Sequence, residues 1–199
     1  MQEGVLIHPA GPDNARQIAE LYQMAAGGVA DYLWFGMAER GESILDVGER
    51  RFVRAGEDFS FQNCTLAARD GKVLGMIHAF PMRELTNPEP GFDPVLRPYA
   101  ELERAPSLYI AGIACYPEYR GQGIGSLLIQ SFGVYYMNDN MAEYSLIAFE
   151  ENDASVRLYQ RLGFEIVARR PIVPAWMTAT SFVPPLSVIS SISEVSPKI

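Results

Sequence analysis

Apolar and polar positions recur along this chain with two different periods, and the places where the period switches mark its elements. "GVLIHPA" (4–10) is a short apolar run ended by Pro9 and predicts a strand. After Pro12, Asp13 offers an N-cap, and Ile18, Leu21, Tyr22 and Ala25 follow at helical spacing, so 13–26 is expected to be an amphipathic helix. The aromatic stretch 27–43 is broken by glycines and shows no clear period; a second helix is expected over 43–55. "CTLAARDGKVLGMIHAF" (64–80) predicts a hairpin, with two apolar strands flanking Asp70-Gly71, a dipeptide suited to a tight turn.

Six prolines, at 81, 88, 90, 94, 98 and 106, exclude regular structure from most of 81–106, which is expected to be a long loop. "SLYIAGIACYP" (107–117) is almost continuously apolar, the pattern of a strand buried on both faces. A helix over 123–138 is expected to bury Ile124, Leu127, Leu128 and Tyr135, followed by a strand at 144–149. A further helix, 152–162, places Ala154, Leu158 and Leu162 on its core side and ends at Gly163; 164–173 is the next strand. Beyond Pro174, "MTATSFVPPL" (177–186) suggests an edge strand, and 187–199 reads as a loose tail. The order predicts a mixed α/β fold, antiparallel early and βαβ later, forming one domain over 1–175 with 81–106 as a loop within it.

Bulk properties narrow the function classes. A length of 199 residues suits one domain with a real core, and 48% hydrophobic with 20% charged residues is ordinary for a globular chain. The net charge of −8 argues against a nucleic-acid binder and is compatible with a cationic substrate. No apolar run approaches the roughly 20 residues of a membrane span, so no membrane partner is expected. "MQEGVLIHPAGPD" does not read as a signal peptide, and Cys64 and Cys115, far apart in apolar runs, read as buried thiols; a cytoplasmic location fits both. With only His8 and His78, and no Cys/His cluster, no metal site is expected.

One stretch carries chemistry. "YPEYRGQGIGSLLIQ" (116–130) puts Gly121, Gly123 and Gly125 at alternating positions between a buried strand and a helix start. The first N–H groups of a helix have no partner within it, and the macrodipole favours an anion there. Glycines let a phosphate approach those amides, and Arg120 adds a cation. A P-loop is excluded because no lysine follows the glycines, and a dinucleotide GxGxxG fails at Ser126.

At these residues the chain resembles the GCN5-related N-acetyltransferase (GNAT) family. The family signature Gln/Arg-x-x-Gly-x-Gly/Ala is met by Arg120-Gly121-Gln122-Gly123-Ile124-Gly125, extended upstream by "IACYPEYRG" and downstream by "ENDASVRLYQRLGFE" (151–165). The resemblance covers about residues 5–173. It implies a mostly antiparallel sheet of six or seven strands with a splayed central pair, flanked by about four helices. It also implies acetyl-CoA as acyl donor, its diphosphate held by Arg120, Gly121, Gln122, Gly123, Ile124, Gly125 and Ser126. The pantetheine arm would lie along the main chain of Ile113, Ala114 and Cys115, with Asn152 and Tyr159 also in contact. Tyr159 would be the general acid to the departing thiolate.

Asn152 and Tyr159 lie about two helical turns apart, on one face, and the sequence places them on the flank away from the core. Asn152 is equally suited to cap the helix, and ordinary packing is the lesser alternative for Tyr159. The expected activity is N-acetyl transfer to a primary amine of a small molecule or peptide by direct attack in a ternary complex. A coenzyme A-binding module without turnover, or use of another acyl-CoA, stays open, as does a homodimer. The segments 27–43 and 81–106 are the expected acceptor walls. Glu84, Glu103, Tyr109, Glu150 and His78 are placed near strand ends, and none is singled out as general base.

Overall fold

The computed structural model describes residues 4–85, 88–135, 143–172 and 191–197. It divides into two compact units: Met1–Phe80 with Ala111–Asn140, and Pro81–Ile110 with Met141–Ile199. No helix among the described residues is long and apolar enough to cross a membrane.

The first unit begins with β1 (Leu6–Pro9), which pairs antiparallel with β2 (Cys64–Arg69), which pairs antiparallel with β3 (Lys72–Met82). The turn between β2 and β3 needs two positive φ values, supplied by Asp70 (+51°) and Gly71 (+73°), as the dipeptide predicts. Beside β3 lies the second half of β4 (Ser107–Cys115). The strands approach closely there: a Cβ on Gly75 would meet Ala114 O at 2.6 Å and Cys115 Sγ at 2.8 Å.

Three helices precede the hairpin: α1 (Ala15–Ala25), α2 (Val29–Met37) and α3 (Ile44–Phe52). Asp13 does not cap α1. It sits inside a short 3-10 turn, Pro12–Asn14, and Asn14 Oδ1 accepts from Gly11 N instead (3.0 Å). The aperiodic stretch 27–43 contains α2, whose buried residues are Ala30 and Trp34. α3 starts with a capping box in which Ser43 Oγ accepts from Asp46 N and Asp46 Oδ2 from Ser43 N. The bonds to Ser43 and Arg16 hold the Asp46 carboxyl down at about 2.

At the centre of this unit Tyr22, Phe52, Phe59 and Phe80 surround His78, with ring centroids 5.0 to 5.8 Å from the imidazole. His78 Nε2 donates to Asp58 O (2.8 Å), which fixes the tautomer, because a carbonyl only accepts. Nδ1 is enclosed without a partner. Burial, helped by Arg51, whose guanidinium stacks on Phe59, pulls the His78 pKa down to about 4. The unit closes with α5 (Ile124–Tyr135), which anchors Ile124, Leu128 and Phe132 in the core at intervals of four; the rest of the helix expected to 138 lies outside the described residues.

In the second unit the first half of β4 pairs in parallel with β5 (Tyr144–Phe149) over Leu108↔Tyr144, Tyr109↔Ser145 and Ile110↔Leu146. The Ser107 hydroxyl donates to Arg104 O (2.6 Å) and meets the Ser145 hydroxyl at 2.7 Å, so two buried polar groups are satisfied at that seam. α6 (Asp153–Arg161) leads to β6 (Phe164–Pro171), and β7 (Ser191–Pro197) lies between β5 and β6, antiparallel to both. The expected loose tail thus contributes a strand, while the strand expected at 177–186 lies outside the described residues. The proline segment also holds a short helix, α4 (Arg97–Leu102), with Pro98 in its first turn, where a missing N–H costs nothing.

The buried imidazole makes stability pH-dependent. Its folded pKa of about 4 lies below the ordinary 6.5, so the unfolded chain binds a proton first as pH falls. The contribution is complete above pH ~6.5 and is lost towards pH ~4, by up to roughly 3 kcal/mol. Denaturant midpoints measured from pH 7.5 to 4.5 are expected to fall less in His78→Phe than in the parent; parallel curves would contradict this assignment.

Candidate active site

The glycine turn grows directly out of β4. After Cys115 the chain stays tied to β3 through Tyr116 N–H, which donates to Leu74 O (3.0 Å), and Pro117–Tyr119 forms a 3-10 turn. Arg120 is extended; Gly121 and Gly123 then take φ values of +73° and +76°. That conformation costs an L-residue roughly 1–2 kcal/mol, which accounts for glycine at both positions. A Cβ on Gly121 would meet nothing within 4 Å, so backbone shape rather than crowding requires this glycine, and the space above it is open.

α5 follows at once. Its first internal bond runs from Leu127 N–H to Gly123 O (3.1 Å), so the amides of Ile124, Gly125 and Ser126 precede the ladder and have no acceptor in the helix. The Ile124 side chain is buried, which fixes the helix start, while Gly121 and Gly123 are exposed. The sequence-predicted loop residues Arg120 to Ser126 are therefore brought together as a strand, turn and helix start.

Two side chains brace the turn. Arg120 Nε donates to Cys115 O (3.2 Å), folding the guanidinium back towards the strand end. Gln122 is held at both ends: its Nε2 donates to Glu118 O and its Oε1 accepts from Arg69 Nη2, each at 3.2 Å. Sequence reasoning missed Arg69. Its only signal was a cation just before the hairpin turn, and nothing in the linear order connects it to a loop 53 positions on.

Ile113, Ala114 and Cys115 lie in the half of β4 that is only half-buried, unlike Ser107, Leu108 and Ile110. The expectation of burial on both faces holds for the first half alone. Gly112 presses against the Tyr22 ring of α1, where a Cβ would come within 3.2 Å. Burial pushes the Cys115 thiol up to about 11 against the opposing pull of Arg120, which favours the protonated thiol at neutral pH. Burial also raises the Cys64 thiol. Both cysteines are free.

In the second unit Asn152 caps α6, its side chain accepting from Ser155 N at 3.2 Å. The core face of this helix differs from the expectation. Tyr159 is its buried residue, packed on Phe164 with ring centroids 5.8 Å apart, whereas Ala154 is exposed and Leu158 and Leu162 are half-buried. The aromatic ring offers far more apolar area than an alanine, so the helix is rolled to cover it. Burial raises the Tyr159 pKa, so the phenol is protonated at neutral pH and can donate. Among the groups considered as bases, His78 is fully enclosed, Glu150 bonds Arg169 (2.5 Å) and Glu103 is half-buried with its carboxyl pKa raised by burial.

Comparison with known proteins bears on this geometry. A thialysine N-epsilon-acetyltransferase of Sus scrofa is 35% identical over 57 residues, 29% of this chain and 34% of that protein, so the match spans about a third of the curated relative. The fold is shared with an N-acetyltransferase from Staphylococcus aureus Mu50, at TM-score 0.62 and 20% identity over 96% of this chain and 99% of that one. It is also shared with a GNAT family acetyltransferase from Elizabethkingia anophelis solved with acetyl-CoA bound, at TM-score 0.59 and 13% identity, each chain covered in full. Residues 31–164, with the glycine turn and all of α6 among them, match the Acetyltransferase (GNAT) family, and this chain belongs to it.

Proposed function

We propose that this chain is an N-acetyltransferase that takes acetyl-CoA as donor and a primary amine of a small molecule or peptide as acceptor, by direct attack in a ternary complex. The observation that carries the reading is the bend at Gly121 and Gly123, with positive φ at both and open space where a Cβ on Gly121 would lie, directly before the helix-start amides of Ile124 to Ser126, which precede the ladder. An unpaired array of this kind suits a diphosphate. The acetyl-CoA bound to the Elizabethkingia anophelis protein, which shares the fold, supports the same choice of donor.

The residues have separable tasks. Arg120, Gly121, Gln122, Gly123, Ile124, Gly125 and Ser126 hold the phosphates; the main chain of Ile113, Ala114 and Cys115 orients the pantetheine arm, and Asn152 adds a contact. When bound, the donor supplies an activated acetyl thioester. A main-chain N–H near Cys115 stabilises the developing oxyanion. The amine, with a reference pKa near ~10.4, must lose a proton before it attacks. Tyr159, kept protonated by burial, delivers a proton to the departing sulfur. The net charge of −8 favours a cationic acceptor.

Purified protein mixed with acetyl-CoA and a panel of amines tests the reading: amine-dependent release of free thiol is expected, and cofactor binding without release on any amine would mark a binding module instead. Gly123→Asp puts a carboxylate against the phosphates and is expected to weaken coenzyme A binding by at least ~100-fold, since like charges in contact cost several kcal/mol. Unchanged calorimetric affinity would contradict the phosphate site. Tyr159→Phe keeps the ring on Phe164 and is expected to lower kcat by about 100-fold at nearly constant cofactor affinity. Full turnover in that variant would make Tyr159 a packing residue only.

A further inference from the structure

The tip of the β2–β3 hairpin carries two cations, one on each side of the Asp70-Gly71 turn. Arg69 and Lys72 face each other across the two-residue turn as register partners. Like charges directly opposite on paired strands are destabilising, and among the described residues neither has a carboxylate within ion-pair distance. Elsewhere the arginines of this acidic chain are commonly paired, as at Arg16, Arg50, Arg104, Arg169 and Arg170. Arg69 reaches the glycine turn through Gln122, and its Nε is enclosed without an acceptor. Arg69 Nη2 thus stands at the turn that leads into amides with no acceptor in the helix.

We propose that Arg69 is a phosphate-binding residue of this chain, reaching from the hairpin to the diphosphate held on the Gly121–Ser126 turn while its Nη2 keeps Gln122 in place. The inference rests on the acetyl-CoA reading above. Lys72 adds field at the same tip. The guanidinium has the planar set of donors that both tasks require at once, which an ammonium cannot reproduce.

Calorimetry with coenzyme A and with 3′-dephospho-coenzyme A tests this on three proteins: the parent, Arg69→Lys and Arg69→Met. Methionine keeps an unbranched apolar stem beside Gly4, where the Arg69 Cγ lies 3.7 Å from a Cβ position, so it replaces packing while removing charge. A matching thermal midpoint confirms that each variant is folded. Arg69→Met is expected to bind both ligands about tenfold more weakly than the parent, with Arg69→Lys in between, because the diphosphate is common to both. Parent-like affinity in Arg69→Met, or a loss confined to coenzyme A, overturns the assignment, the latter by moving Arg69 to the 3′-phosphate. If the parent itself binds neither ligand, the acetyl-CoA reading fails; if the parent binds and Arg69→Met binds equally well, only this inference fails.

Discussion

The structure around the candidate site depends on backbone N–H groups at the start of α5 that the chain leaves without acceptors. A helix start always exposes such donors, and most are covered by a capping side chain or by water. Here Gly121 and Gly123, on either side of Gln122, turn the chain with φ near +75°, and a Cβ on Gly121 would meet only open space. The cost is the entropy of ordering glycine. What offsets it is an anchored frame: Ile124 and Leu128 hold the helix from below, and Gln122 is bonded to both Glu118 and Arg69.

That frame extends into the sheet. β4 lies against β3 so closely that Gly75 has no room for a Cβ, and the Tyr116 hydroxyl donates to Glu20 of α1 at 2.7 Å. The end of β4 is therefore fixed on one side by main-chain packing and on another by a charge-assisted hydrogen bond. A strand end held in this way sets where Ile113, Ala114 and Cys115 present their main chain. Chemistry on a flexible ligand benefits from such preorganisation, because the binding free energy is not spent on ordering the protein.

Much of this was legible from local rules. The Asp70-Gly71 turn, the glycine bend and the Asn152 cap are each set by backbone conformation within a few residues, and each is found where its residue types demand it. The misreadings have a common cause in context beyond the local window. Pro98 argued against a helix but occupies its first turn, where proline is harmless. The polar segment "SISEVSP" carries no strand pattern of its own and is recruited by pairing with β5 and β6. The spacing of Ala154, Leu158 and Leu162 marked a stripe on α6, yet Tyr159 with its larger apolar area decides which way the helix faces. Arg69 was invisible because its meaning arises only when the hairpin tip meets the turn.

In the proposed complex the amides of residues 124–126 receive the diphosphate. Backbone amide resonances followed by NMR during titration with coenzyme A test it most directly. The largest downfield shifts are expected on Ile124, Gly125 and Ser126, with smaller changes at Gly121 to Gly123, as the N–H groups gain charged acceptors. Saturable binding that leaves these resonances where they were, and shifts others instead, would contradict it.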